Sequence, residues 1–82
     1  MSPDAAADAA LTLDTRGKLC PLPIIELARR IKDIAVGEVI AVVSDDPAAR
    51  ADVPAWCRMR DQEYVGEVPN EDAVTYLVRR TE

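Results

Sequence analysis

The order of apolar and polar positions along the chain predicts six elements. Leu11-Thr12-Leu13 alternates and stops at Asp14, the pattern of a short strand that leaves through a turn at Gly17. From residue 21 to 35, Ile24, Leu27, Ala28, Ile31 and Ile34 recur at helical spacing, while Glu26, Arg29, Arg30, Lys32 and Asp33 take the other side. That is a helix packed on one face, with Gly37 as its C-terminal cap residue. Glu26 with Arg30, and Arg29 with Asp33, are i,i+4 pairs worth about 0.2 to 0.5 kcal/mol each. Val39 to Val43 is a continuous apolar run rich in β-branched residues, as a central strand requires.

Ser44-Asp45-Asp46-Pro47 then opens a second helix, with Asp46 as N-cap and Pro47 at the first helical position. Pro54 predicts a kink or two helical pieces, the second capped by Asp52 and running through Trp56, Cys57 and Met59. Glu63 to Val68 and Ala73 to Val78 read as strands joined by Pro69-Asn70-Glu71-Asp72, a hairpin-turn composition. Strand, helix, strand implies a right-handed parallel crossover. The expected fold is therefore an α/β chain of the α+β two-layer sandwich type: order βαβαββ, a mixed four-stranded sheet and two helices on one face. Residues 1–10, alanine-rich with Ser2 and Pro3, are expected to be a flexible tail, and 11–82 a single domain.

Composition narrows what such a domain can do. At 82 residues the chain buries about 60% of its unfolded surface, enough for one two-layer core and no deep enclosed site. Hydrophobic residues make up 49% and charged residues 30%, the profile of a folded domain. A net charge of -5 argues against general affinity for nucleic acid or anionic membrane and favours a partner with a basic docking face. There is no histidine and no Cys-x-x-Cys, which leaves no Cys-His catalytic pair, no metal site and no bound cofactor expected. The N-terminus lacks the basic and apolar regions of a signal peptide, and no stretch reaches the length of a membrane span. The expected setting is a reducing cytoplasm, where cysteines stay free.

The candidate chemistry lies in Asp14 to Pro23, read Asp-Thr-Arg-Gly-Lys-Leu-Cys-Pro-Leu-Pro. A residue before proline is pushed to extended angles and proline suits the first helical position, so Cys20 reads as N-cap and Pro21 as N1. A thiol at a helix start is expected to ionise more readily than a free one. Pro21 and Pro23 lack N–H groups, leaving the amides of Leu22 and Ile24 near the sulfur and a moderately activated thiolate.

Each of these residues also has a plainer reading. A free cysteine is commonly buried and inert, and the two prolines are either helix punctuation or a stiff pedestal for the sulfur. Gly17 serves the turn and leaves room for a partner's approach. Asp14 ties down loop amides through an Asx-type bond. Arg16 and Lys18 are either solvated loop charges or groups that hold a thiolate or persulfide and meet a partner. Cys57, beside Trp56, reads as a core position, Tyr76 as core or edge packing, and Asp45-Asp46-Pro47 as capping.

With Asp14, Gly17, Cys20, Pro21 and Pro23 in place, the sequence resembles the TusA/SirA-like family of small sulfur-carrier proteins, over about residues 11 to 80. The family's mark is Cys-Pro-x-Pro at the start of the first helix. Where that family often has proline before the glycine after the first helix, this chain has Val36. The resemblance implies that Cys20 accepts a sulfane sulfur as a persulfide and relays it, supported by Asp14, Gly17, Pro21 and Pro23. It implies two partners: a sulfur donor of cysteine desulfurase or rhodanese type and a sulfur-acceptor protein, for example in tRNA thiolation. The alternative is a regulatory or interaction module in which Cys20 senses oxidation or only packs. A thiol-disulfide protein using Cys20 and Cys57 is a third reading, which the expected burial of Cys57 disfavours.

Overall fold

The computed structural model describes residues 9–82. The tail expected over 1–10 lies outside them for residues 1–8. Ala10 is already tied to the sheet, its amide donating to the Val39 carbonyl at 2.8 Å.

The order is βαβαββ: β1 Leu11–Asp14, α1 Leu22–Arg30, β2 Val39–Ser44, α2 Ala49–Arg60, β3 Glu63–Pro69 and β4 Val74–Arg79. In the sheet the strands lie β1-β2-β4-β3. β1 runs parallel to β2, with Leu11 opposite Ile40 and Asp14 opposite Val43. The β2–β4 and β3–β4 pairs are antiparallel. The mixed sheet thus has a parallel edge, which needs the crossover through α1, and a hairpin edge closed by the turn after Pro69.

Both helices cover one face, because α1 packs on β2 and on α2 while α2 packs on β3 and β4. Alternation along the strands sends Leu13, Ile40, Val42, Tyr76 and Val78 into one core with Leu27 and Ile31 of the first helical segment and Val53, Trp56 and Cys57 of α2. Each large apolar side chain fully buried there stabilises the fold by roughly 1.5–3 kcal/mol relative to exposure.

Four expectations are corrected. The first helix ends at Arg30 and tightens into a 3-10 turn over Ile31–Asp33 before Ile34 turns extended. The ion pairs are i,i+3 and not i,i+4: Arg29 to Glu26 at 3.5 Å within the α-helix, and Arg30 to Asp33 at 2.7 Å across the 3-10 turn, where residues three apart eclipse. Gly37 is in a later turn, at φ +95, with its amide on the Arg80 carbonyl at 2.7 Å. Pro54 lies inside an unbroken α2; it removes one N–H donor, a loss that burial of Val53, Trp56 and Cys57 on the same helix outweighs. Among the described residues, no helix is long and apolar enough to cross a membrane.

Candidate functional site

The site is the β1–α1 connection, folded against the β2–α2 connection. Thr15 extends β1 by one residue: its amide and its hydroxyl both donate to the Val43 carbonyl, at 2.8 and 2.7 Å. Buried Thr15 thus fixes where the loop leaves the sheet. Gly17 follows at φ +83, a backbone conformation that L side chains rarely adopt. A Cβ there would meet nothing within 4 Å, so conformation, and not space, requires glycine.

Three carboxylates then pin the loop. Asp14 accepts the Arg16 amide at 3.1 Å, as an Asx turn does, and also the Arg16 guanidinium at 2.9 and 2.7 Å. Those bonds hold the Asp14 carboxyl down to about 2. Asp45 accepts the Gly17 amide with both oxygens at 3.1 Å. Asp46 divides its oxygens: one takes the Cys20 amide at 2.7 Å, the other the Ala48 amide at 3.0 Å. The Cys20 and Ala48 bonds keep Asp46 below its ordinary value. One side chain therefore joins the cysteine loop to the start of α2.

This geometry revises the expected helix-start thiolate. The Cys20–Pro21 peptide is cis, Pro21 is the cap and α1 begins at Leu22. Cys20 is one residue further out, and the Leu22 amide is spent on the Leu19 carbonyl at 2.9 Å. Cys20 is half-buried, and its own amide is bound to Asp46. Burial, then the Asp52 and Asp46 carboxylates, push it from 9.0 up to about 11. Burial penalises a thiolate, and two negative neighbours add to that penalty. Arg16 does not offset it, because its guanidinium is held by Asp14. Asp52 is not the cap of a second helical piece but a first-turn residue of α2.

The two prolines separate. Pro23 is fully buried under the loop, whereas Pro21 is exposed and lines a groove of about 240 Å³ with Ile24, Asp52, Ala55, Trp56 and Met59. Leu19, Leu22, Ile25, Val36 and Met59 are large apolar side chains left 73%, 48%, 45%, 61% and 74% exposed, three of them within five residues of Cys20. Cys57 is buried in the core, and both cysteines are free. Tyr76 is buried as well. Among the described residues, no group of three or more His, Cys, Asp or Glu side chains could hold a metal ion.

The loop positions of Asp14, Gly17, Cys20, Pro21 and Pro23 are visible in the sequence. The roles of Asp45, Asp46 and Asp52 against that loop are not, since an Asp-Asp-Pro run reads as helix capping and the partners lie about 26 to 28 residues away. The one available signal is that a single N-cap needs a single aspartate, and here there are two.

The fold is a two-layer sandwich with Cys20 half-buried on a braced loop and Cys57 in the core. The chain belongs to the TusA sulfurtransferase family, whose model matches residues 11–80. It is 32% identical over 72 residues to a Bacillus subtilis (strain 168) protein named "Putative sulfur carrier protein YrkF". That alignment covers 88% of this chain but spans only 39% of the relative's length. The fold matches the crystal structure of a SirA-like protein from Desulfitobacterium hafniense with a TM-score of 0.76, at 18% identity, over 88% of this chain and 99% of that one.

Proposed function

We propose that this domain is a sulfur carrier in which Cys20 accepts a sulfane sulfur as a persulfide and hands it to an acceptor protein. The observation that carries the reading is that Cys20 is the reachable thiol, fixed through its own amide to Asp46 at 2.7 Å, while Cys57 is sealed in the core. Asp14 and Gly17 shape the loop, Pro23 supports it from below, and Pro21 opens onto the groove. The exposed Leu19, Leu22 and Ile25 flanking Cys20 in the chain, and Met59 in the groove with Pro21, offer a docking protein apolar side chains to cover.

The transfer needs little local machinery. The Cys20 sulfur attacks the outer sulfur of a donor cysteine persulfide, the donor's S–S bond breaks, and its electron pair leaves on the donor cysteine. The proton given up by Cys20 passes to that leaving thiolate, so no external oxidant or reductant enters. The same exchange, run toward an acceptor thiolate, unloads the carrier. A thiol raised to about 11 is largely un-ionised at neutral pH, so the rate is set by what docking does to the site. Donors of cysteine desulfurase or rhodanese type supply the persulfide, and acceptors include proteins of tRNA thiolation. A reducing cytoplasm suits a carrier whose thiol must stay free.

The test is to mix the protein with a cysteine desulfurase and cysteine and follow protein-bound sulfane sulfur. Wild type and the Cys57→Ala variant load, and Cys20→Ser does not. Loading of Cys20→Ser at the wild-type level would end the proposal.

A further inference from the structure

Cys20 precedes its helix, since α1 begins at Leu22, so the helical ladder does not fix its backbone. Among the described residues, the one hydrogen bond of the Cys20 backbone is its amide on Asp46 at 2.7 Å. A chain of bonds leads from there to the core. Ser44, the last residue of β2, is 1% exposed, and its Oγ accepts the Asp46 amide at 3.1 Å. Asp46 places its second oxygen on the Ala48 amide at 3.0 Å. Its neighbour Asp45 takes the Gly17 amide, three residues before Cys20. Asp45 thus fixes the entry to the loop, and Asp46 fixes the residue that bears the sulfur.

We propose that Asp46, itself fixed by Ser44, is a positioning residue for sulfur transfer: it holds the Cys20 backbone and so sets where the sulfur stands when a partner's persulfide or thiol meets it. The inference rests on the sulfur-carrier reading for the reaction it serves. Exchange between two sulfurs is fast only when the attacking sulfur and the bond to be broken are brought together in line, and misplacement by about 1 Å can cost up to about a hundredfold in rate. On a domain with no deep enclosed site the partner supplies most of the surroundings. What this chain controls is the position at which its loop holds Cys20. Bonds within the loop move with the loop, whereas Asp46 ties residue 20 to the end of a core strand from 26 positions away in the sequence. An ionised carboxylate accepting a backbone N–H is also a stronger tether than a carbonyl.

The test pairs transfer kinetics with amide hydrogen exchange on wild type, Asp46→Ala, Asp46→Asn and Ser44→Ala. Single-turnover transfer from a persulfidated cysteine desulfurase is followed against desulfurase concentration. Asp46→Ala is expected to lower the maximal rate about tenfold and to leave the half-saturating concentration within about twofold, because geometry is lost and docking is not. Asp46→Asn keeps one acceptor oxygen and recovers part of the rate, and Ser44→Ala loses less than Asp46→Ala. In exchange followed by NMR, the Cys20 amide is protected in wild type and approaches the rate of an unstructured peptide in Asp46→Ala. The amides of β2 and β4 stay protected, which shows that the variant is folded. An unchanged Cys20 amide in folded Asp46→Ala overturns the proposal. So does a wild-type maximal rate with that amide released, or an effect confined to the half-saturating concentration. Wild type that takes up no sulfur ends the sulfur-carrier reading instead, and the exchange measurement still decides whether Asp46 fixes Cys20.

Discussion

The two cysteines reach the same thiol acidity by different routes, and the difference separates a site from a core. Both are pushed up to about 11. At Cys57 the cause is burial alone, with Arg58 pulling slightly the other way. At Cys20 burial is joined by Asp52 and Asp46. Burial of a core residue can be relieved only by opening the fold. The carboxylates that contribute at Cys20 are at least partly exposed, so salt screens their share without opening the fold.

Labelling gives the largest contrast. In native protein near pH 8 iodoacetamide should modify Cys20 directly and Cys57 only through opening of the core. For a domain stable by about 5 kcal/mol, global opening makes Cys57 slower by roughly three orders of magnitude or more. Comparable rates at the two peptides would dissolve the distinction.

Stability should invert the ranking. Cys57→Ser places a hydroxyl in the apolar core beside Trp56, whose Nε1 already has no hydrogen-bond partner, and should cost about 1–3 kcal/mol in urea unfolding. Cys20→Ser should stay within about 0.5 kcal/mol. Between them falls Asp46→Ala: the cap of α2 is Ala48 and not Asp46 as expected, but the variant removes the bond to the Ala48 amide and the tether to the Cys20 amide and should cost about 1–2 kcal/mol.

The smallest effect is on pH dependence. Both thiols titrate higher in the folded protein than the 9.0 of a free thiol. The unfolded chain therefore loses these protons first, and their contribution is intact below about pH 9 and is lost as pH rises toward 11. Cys57→Ala should flatten the loss of stability across that window by its own share. An unchanged alkaline limb would mean that burial at Cys57 is not what raises its thiol.

The element order was readable because it depends on local patterns. The run Val39 to Val43 forms β2, the spacing of Ile24, Leu27 and Ile31 forms the first helical segment, and the residues after Pro69 make the hairpin turn. Errors arose where a local rule met a tertiary partner. Pro54 reads as a kink or a division into two helical pieces; α2 is one helix through it, so the division does not occur, its neighbours being buried. Cys20 before Pro21 reads as an N-cap, yet the cap is Pro21, and of the two amides expected at the sulfur that of Leu22 is bound to the Leu19 carbonyl. The chemistry of the site was least legible. Asp45, Asp46 and Asp52 look like helix-start residues in one dimension, and only the parallel pairing of β1 with β2 brings their connections together with the Cys20 loop.

The central claim is that the sulfur rides on Cys20 and on no other residue, and peptide-resolved mass spectrometry after loading tests it most directly. Protein charged by a desulfurase with cysteine, trapped by alkylation and digested, should carry the one-sulfur mass gain on the Cys20 peptide, with the Cys57 peptide unmodified. A gain on the Cys57 peptide, or none on Cys20 while the donor is demonstrably persulfidated, would contradict the account.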